Sequence, residues 1–178
     1  MSDQLSVLFV CLGNICRSTM AEGVFQSLAR KEPYSELVGK IDSCGTGAYH
    51  VGDGPDERTM ETLEDHGITD YVHCARKVDA SDFDKFDYIF AMDRGNLADL
   101  ERIQRRKPSS KAKLMLFGEY SGTGKTEIIS DPYYGAIQPR TMPLNGLSPT
   151  ATWVAQDRQA AGISARELAR QGFIPALT

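Results

Sequence analysis

The chain has no basic excess. Its 20 lysines and arginines stand against 24 aspartates and glutamates, for a formal charge of −4. That balance argues against a nucleic-acid binder, which carries a basic surplus, but it leaves room for a locally positive pocket that takes an anion. The sequence also lacks a C-x-x-C pair and any Cys/His grouping at zinc spacing. Its four cysteines, at 11, 16, 44 and 74, are too few to staple a chain of 178 residues. Reduced thiols, no metal and no cofactor are therefore expected. No basic residue precedes the apolar run Val7–Val10, and that run is far too short for a bilayer. A cytoplasmic protein without a membrane partner is expected. No internal repeat is present.

What is there is the material of one ordinary soluble domain, with 41% hydrophobic residues. Leu5–Val10 is apolar, β-branched and aromatic without polar alternation, which suits a strand covered on both faces. From Ser18 to Arg30 the period becomes helical, with Met20, Val24 and Leu28 at four-residue steps beside Ala21 and Phe25. Val38–Ser43 reads as a second strand. Pro55, Asp56 and Glu57 open a helix that ends at His66 and Gly67. Asp79–Phe83 suggests a short helix. Tyr88–Met92 is a third strand, followed by Asp93 as cap of a helix through Asn96, Leu100 and Ile103. Lys113–Phe117 is a fourth strand, and Glu127–Ile129 reads as another short one. Alternating strands and helices predict an α/β fold, a three-layer αβα sandwich on a four-stranded parallel sheet of order 2-1-3-4. After residue 134 the composition shifts. Gly135–Thr150 holds three prolines and little apolar period, and 151–170 has helix-forming composition with mostly alanine as apolar filling.

The segment Cys11-Leu12-Gly13-Asn14-Ile15-Cys16-Arg17-Ser18 spans the turn from first strand to first helix. Ligands of an open parallel sheet bind at the carboxyl ends of its strands. A loop there points backbone N–H groups inward, and the helix adds its positive end, which together suit a phosphate. Leu12, Gly13, Asn14, Ile15, Cys16, Arg17 and Ser18 are the predicted phosphate-binding residues, with Gly13 supplying backbone freedom. Cys11 at the floor is favoured as a thiolate nucleophile, assisted by the Ser18 hydroxyl. Arg17 is expected at the rim, where its planar fork grips two phosphate oxygens. Asp131, in Ser130-Asp131-Pro132-Tyr133-Tyr134, is the candidate proton donor to a departing phenolate and then the base for hydrolysis of a phosphocysteine. Tyr133 is placed to stack on a substrate ring.

These residues resemble the low-molecular-weight protein tyrosine phosphatases. The likeness lies in VCLGNICRS near the start, IDSCGT at 41–46, HGI at 66–68, FDYIFAMD at 86–93, KAKLMLFG at 111–118 and DPYY at 131–134, and so covers roughly residues 5–135. The resemblance implies hydrolysis of phosphotyrosine in proteins and of small aryl phosphates, with phosphate and vanadate as inhibitors. It implies Cys11, Arg17 and Asp131 as catalytic residues and Asn14, Ser18, Ser43 and His66 as loop support. It also implies Tyr49 and Tyr133 as pocket walls, and Cys16 as the partner of a reversible disulfide with Cys11. Tyr133 and Tyr134 correspond to tyrosines that kinases modify in some members. A monomer or weak dimer is expected. The phosphatase domain is assigned to 1–135. The tail 136–178 departs from the amphipathic helix that ends family members and is expected to be poorly ordered, leaving one face of the sheet undercovered.

Rival readings are a phosphate- or phosphoprotein-binding module without turnover, an arsenate reductase and a protein-arginine phosphatase. An arsenate reductase needs further cysteines near 80–90, where there are none. The arginine phosphatases resembled here favour threonine at the position of Ile15. Cys44 and Cys74 read as structural. The basic run Arg102, Arg105, Arg106 and Lys107 reads as a solvated helix end, and Gly122–Thr126 as a turn, because it lacks a full nucleotide-binding loop.

Overall fold

A computed structural model describes residues 4–32, 34–120 and 126–131. The first strand, β1 (Leu5–Cys11), leads into α1 (Arg17–Ala29) and then β2 (Val38–Gly45). Next come α2 (Glu57–Asp65), the short α3 (Asp82–Lys85), β3 (Tyr88–Ala91), α4 (Arg94–Gln104) and β4 (Lys113–Leu116). A 3₁₀ turn, Phe117–Tyr120, follows. The four strands form one parallel sheet in the order β2-β1-β3-β4, the order expected from the sequence.

The apolar run Val7–Cys11 of β1 is explained by its central place. Val7, Phe9 and Cys11 enter one core with Ala21, Phe25 and Ala29 of α1, and with Tyr88, Phe90 and Phe117. Leu8 and Val10 enter the opposite core with Phe83, Phe86, Ile89 and Leu100. A strand alternates its side chains between faces, so a strand covered twice must be apolar at every position.

The apolar positions of α1 serve two contacts: Ala21, Phe25 and Ala29 meet the sheet, while Met20 and Val24 turn toward Leu63 of α2 and Tyr71. Local expectations are corrected in three places. Pro55 stands before the helix rather than in its first turn, since the cap is Asp56, whose side chain accepts from the Arg58 amide. The short helix expected at 79–83 is Asp82–Lys85, displaced because Asp82 accepts from the Asp79 amide and holds the turn before it. Residues 127–129 form no strand. Instead single bonds tie them down, among them Glu127 N–H to Gly118 O and Ile129 N–H to Met92 O, at 3.1 and 3.0 Å.

Asp93 caps α4 as expected, with Oδ1 accepting from the Asn96 amide at 2.8 Å. Residues 132–178 lie outside the described residues, and with them Tyr133, Tyr134 and the tail. Most of the glycine-rich turn, at 121–125, also lies outside. No described helix is long and apolar enough to cross a membrane.

Candidate active site

The loop between β1 and α1 opens at the carboxyl end of the central strand. Four of its carbonyl groups are tied off by bonds to neighbouring segments and to the following helix. Cys11 O accepts from the Thr46 amide and Leu12 O from the Gly47 amide, both at 2.9 Å. Ile15 O accepts from the Asp56 amide at 2.8 Å, and Cys16 O from the Met20 amide and the Thr19 hydroxyl. A peptide unit whose oxygen points outward points its N–H the other way, which turns the amides of residues 12, 13, 16 and 17 inward. The Asn14 amide reaches Cys11 Sγ at 3.2 Å. The amides of residues 13 and 15–18 have no protein acceptor among the described residues. Gly45 allows this close packing, because a Cβ there would stand 2.7 Å from Leu12 O.

Cys11 is buried, and its sulfur lies 3.1 Å from the Ser18 hydroxyl. The conformational freedom expected of Gly13 is taken up elsewhere. Asn14 is the described non-glycine residue in the left-handed region, at φ 58°. Its side chain explains why an asparagine tolerates that backbone, since all four of its hydrogen-bonding positions are occupied. Nδ2 donates to Ser18 Oγ at 3.0 Å and to Ser43 Oγ at 2.8 Å. Oδ1 accepts from the Arg76 amide and faces His73 Nε2, both at 2.9 Å.

Behind Asn14 sits a buried carboxylate that sequence reasoning missed. Glu22 Oε2 accepts from Ser43 Oγ at 2.6 Å and Tyr71 OH at 2.8 Å, and lies 3.1 Å from His73 Nδ1. Its Oε1 accepts from Gln26 at 2.9 Å. Burial, then the Glu22 charge, push the Tyr71 phenol well up, so it stays a donor. Glu22, Asp42 and His73 stand close enough to hold a cation, but the Glu22 and His73 atoms are already engaged with one another and with Ser43, Tyr71 and Asn14. The signal for Glu22 was available: it stands four residues after Ser18 and shares that helix face with Phe25 and Ala29, which pack into the core.

His66 does not support the loop. It is exposed at the end of α2, with Nδ1 on Thr62 O at 2.8 Å. His73 takes the place assigned to it. Both histidines lie between the second strand and the third, and only the path of the chain after α2 decides which ring reaches Asn14.

Arg17 is also placed differently from expectation. Only 2% of its side chain is exposed, and the guanidinium is bracketed rather than standing free at a rim. Nη1 donates to Asp93 Oδ2 at 2.5 Å and to Ile129 O at 3.0 Å, while Nη2 donates to Asp131 Oδ2 at 2.6 Å. The physical reason is desolvation: a buried guanidinium is tolerable only when paired. Asp131 is thus brought to the loop, through the Ile129 anchor on Met92 O. Asp93 serves two ends at once, capping α4 with one oxygen and holding Arg17 with the other.

Cys16 is half-buried. Burial chiefly, and then the Asp56 charge, push its thiol up to about 12. Cys44 is fully buried and is pushed up by burial as well. Cys74 is exposed. Tyr49, expected as a pocket wall, is 76% exposed on the loop after β2 and packs over Gly47, whose amide binds Leu12 O.

The family model described as low molecular weight phosphotyrosine protein phosphatase matches residues 6–142. A protein of that name from Schizosaccharomyces pombe is 53% identical over 135 residues, which are 76% of this chain and 85% of the relative. The solved structure of YfkJ from Bacillus subtilis superposes with a TM-score of 0.75 at 37% identity, covering 89% of this chain and 99% of that one. The structure of DARP, a Drosophila arginine phosphatase, superposes with a TM-score of 0.73 at 36% identity, covering 90% and 99%.

Proposed function

This chain belongs to the low-molecular-weight phosphotyrosine protein phosphatase family, and from that premise we propose that it hydrolyses phosphotyrosine in proteins, and small aryl phosphates, through a phosphocysteine formed on Cys11. The observation that carries the reading is the loop 11–18: the Cys11 sulfur takes the Asn14 amide and meets the Ser18 hydroxyl, while the amides of residues 13 and 15–18 have no protein acceptor among the described residues. Such a ring of N–H dipoles favours both a phosphoryl group and a thiolate.

In this reading Cys11 Sγ attacks phosphorus, the bond to the phenolic oxygen breaks, and Asp131 gives that oxygen a proton. Water then attacks the phosphocysteine, with Asp131 as base, and inorganic phosphate leaves. Arg17 neutralises the transferring oxygens. Its partners define a competition: a dianionic phosphoryl group drawn to the guanidinium displaces Asp131 from Nη2 and frees the carboxyl for the leaving group. Asn14, Ser18 and Ser43 brace the loop, with His73 in the role expected of His66. The resemblance assigns the aromatic walls of the pocket to Tyr49 and to Tyr133, the latter outside the described residues. Cys16 is the resolving thiol: peroxide converts Cys11 to a sulfenic acid, and Cys16 condenses with it to a disulfide with loss of water.

The likeness to an arginine phosphatase supports a second reading, in which the same loop takes phosphate from arginine. Ile15 disfavours it on the resemblance drawn above. Turnover of p-nitrophenyl phosphate, of a phosphotyrosine peptide and of a phosphoarginine protein, each with and without orthovanadate, separates the two. The reading expects vanadate-sensitive hydrolysis of the first two, lost in C11S while phosphate binding persists. Normal hydrolysis by C11S overturns the mechanism, and preference for phosphoarginine overturns the substrate.

A further inference from the structure

The basic run that closes α4 is used by nothing in the site. The helix ends at Gln104 with Arg105 as its cap, and the chain turns on the surface before β4. Two of the run's side chains are engaged, Arg102 with Asp99 at 2.7 Å and Lys107 with Asp84 at 2.6 Å. Arg105 and Arg106 are exposed and make no ion pair among the described residues.

Two adjacent serines follow, and the structure separates them. Ser110 is spent on the fold: its hydroxyl donates to Phe83 O at 2.7 Å and accepts from the Ala112 amide at 3.1 Å. Ser109 is exposed, as is Pro108 before it, and its hydroxyl has no partner among the described residues. Among the serines and threonines of the whole chain, Ser109 alone has an arginine three residues before it, and Arg105 and Lys107 flank that arginine.

We propose that Ser109 is a phosphorylation site for a protein serine kinase whose substrate cleft is acidic where it meets the residues preceding the target. A cluster of cations on one side of an exposed hydroxyl is what such a cleft recognises. The backbone hydrogen bonds here are local turns, Arg106 N–H to Ile103 O, Lys107 N–H to Gln104 O and Ser110 N–H to Lys107 O, and the side chains of Lys107 and Ser110 tie the segment to Asp84 and Phe83 on either side of Ser109. Surface turns of this kind open at low cost, as a kinase that binds extended chain requires. In the reaction Ser109 Oγ attacks the γ-phosphorus of ATP, the bond to the ADP oxygen breaks, and the hydroxyl proton passes to the base of the kinase. The product is a phosphate of nearly two negative charges beside Arg105 and Arg106, which turns an open cationic patch into a self-paired one. The eleven residues of α4 separate this patch from the Asp93 end by about 16 Å. Modification therefore leaves the chemistry at Cys11 untouched and alters only what the patch attracts.

The test is to incubate the intact chain with ATP and the catalytic subunit of cyclic-AMP-dependent protein kinase, a kinase of this basic preference, and to map phosphate by mass spectrometry. The expected result is one phosphoryl group on Ser109, none in S109A, a rate lower by about tenfold or more in R105A/R106A, and unchanged p-nitrophenyl phosphate turnover before and after. Absence of incorporation into the folded wild-type chain, or phosphate on Ser110 instead, overturns the proposal. So does a rate in R105A/R106A equal to that of the wild type.

Discussion

Asp93 Oδ2 stands 2.5 Å from Arg17 Nη1, while Oδ1 of the same carboxylate holds the first turn of α4. One side chain thus links the helix after β3 to the helix after β1 across the carboxyl end of the sheet. The two functions separate by mutation. In D93N the amide oxygen still caps α4, but the negative charge facing Arg17 is lost, and kcat/KM for p-nitrophenyl phosphate falls by roughly tenfold. D93A loses the cap as well and is about 1 kcal/mol less stable than D93N. Thermal melts and steady-state kinetics on both variants check this. Equal stability of D93N and D93A would remove the cap from the account.

Asn14 combines a left-handed backbone with four hydrogen bonds. N14G keeps the backbone and loses the bonds, and a loss of roughly 2 kcal/mol or more is expected because buried partners are left unsatisfied. N14A adds the steric cost of a Cβ at positive φ, about 1 kcal/mol further. Chemical denaturation resolves the two contributions. A stability of N14A at or above that of N14G would show that the φ value carries no strain.

His73 and His66 give opposite results when removed. H73A leaves Asn14 Oδ1 and Glu22 each short of a partner, and kcat falls by about tenfold or more. H66A removes an exposed ring at a helix end and changes kcat less than about twofold. Matching losses in the two variants would overturn the structural assignment.

Cys16 predicts a loss of alkaline stability. Its folded value, about 12, lies above the ordinary thiol value of 9.0. Below pH 9 the thiol is protonated in both states and its contribution is fully present. As pH rises from about 9 to about 12 the unfolded chain ionises first, the unfolded state binds fewer protons, and stability falls. C16A loses less stability over that window than the wild type does, as denaturation midpoints at successive pH values will show. A steeper fall in C16A would contradict the sign.

Much of this was legible in the chain alone, for physical reasons. β1, β3 and α4 announce themselves because apolar period and capping residues act within a few neighbours, and the part of β1 buried on both faces, Val7–Cys11, carries no polar residue to confuse it. Cys11, Arg17 and Ser18 are close in sequence, so the loop that joins them is a local object, and its place after a central strand identifies its chemistry. Glu22 and Asp93 were readable only in half. A carboxylate on a helix face or at a cap shows its first contact by spacing, but not its second partner many residues away.

The remaining choices belong to the folded chain. Whether His66 or His73 meets Asn14, whether Arg17 stands free or lies between Asp93 and Asp131, and whether Ser109 or Ser110 spends its hydroxyl on Phe83 all depend on how distant segments cross. Nearest-neighbour pattern sets which face of a segment is buried. Only closure of the whole sheet, with every buried charge and amide needing a partner at once, selects the atoms that meet.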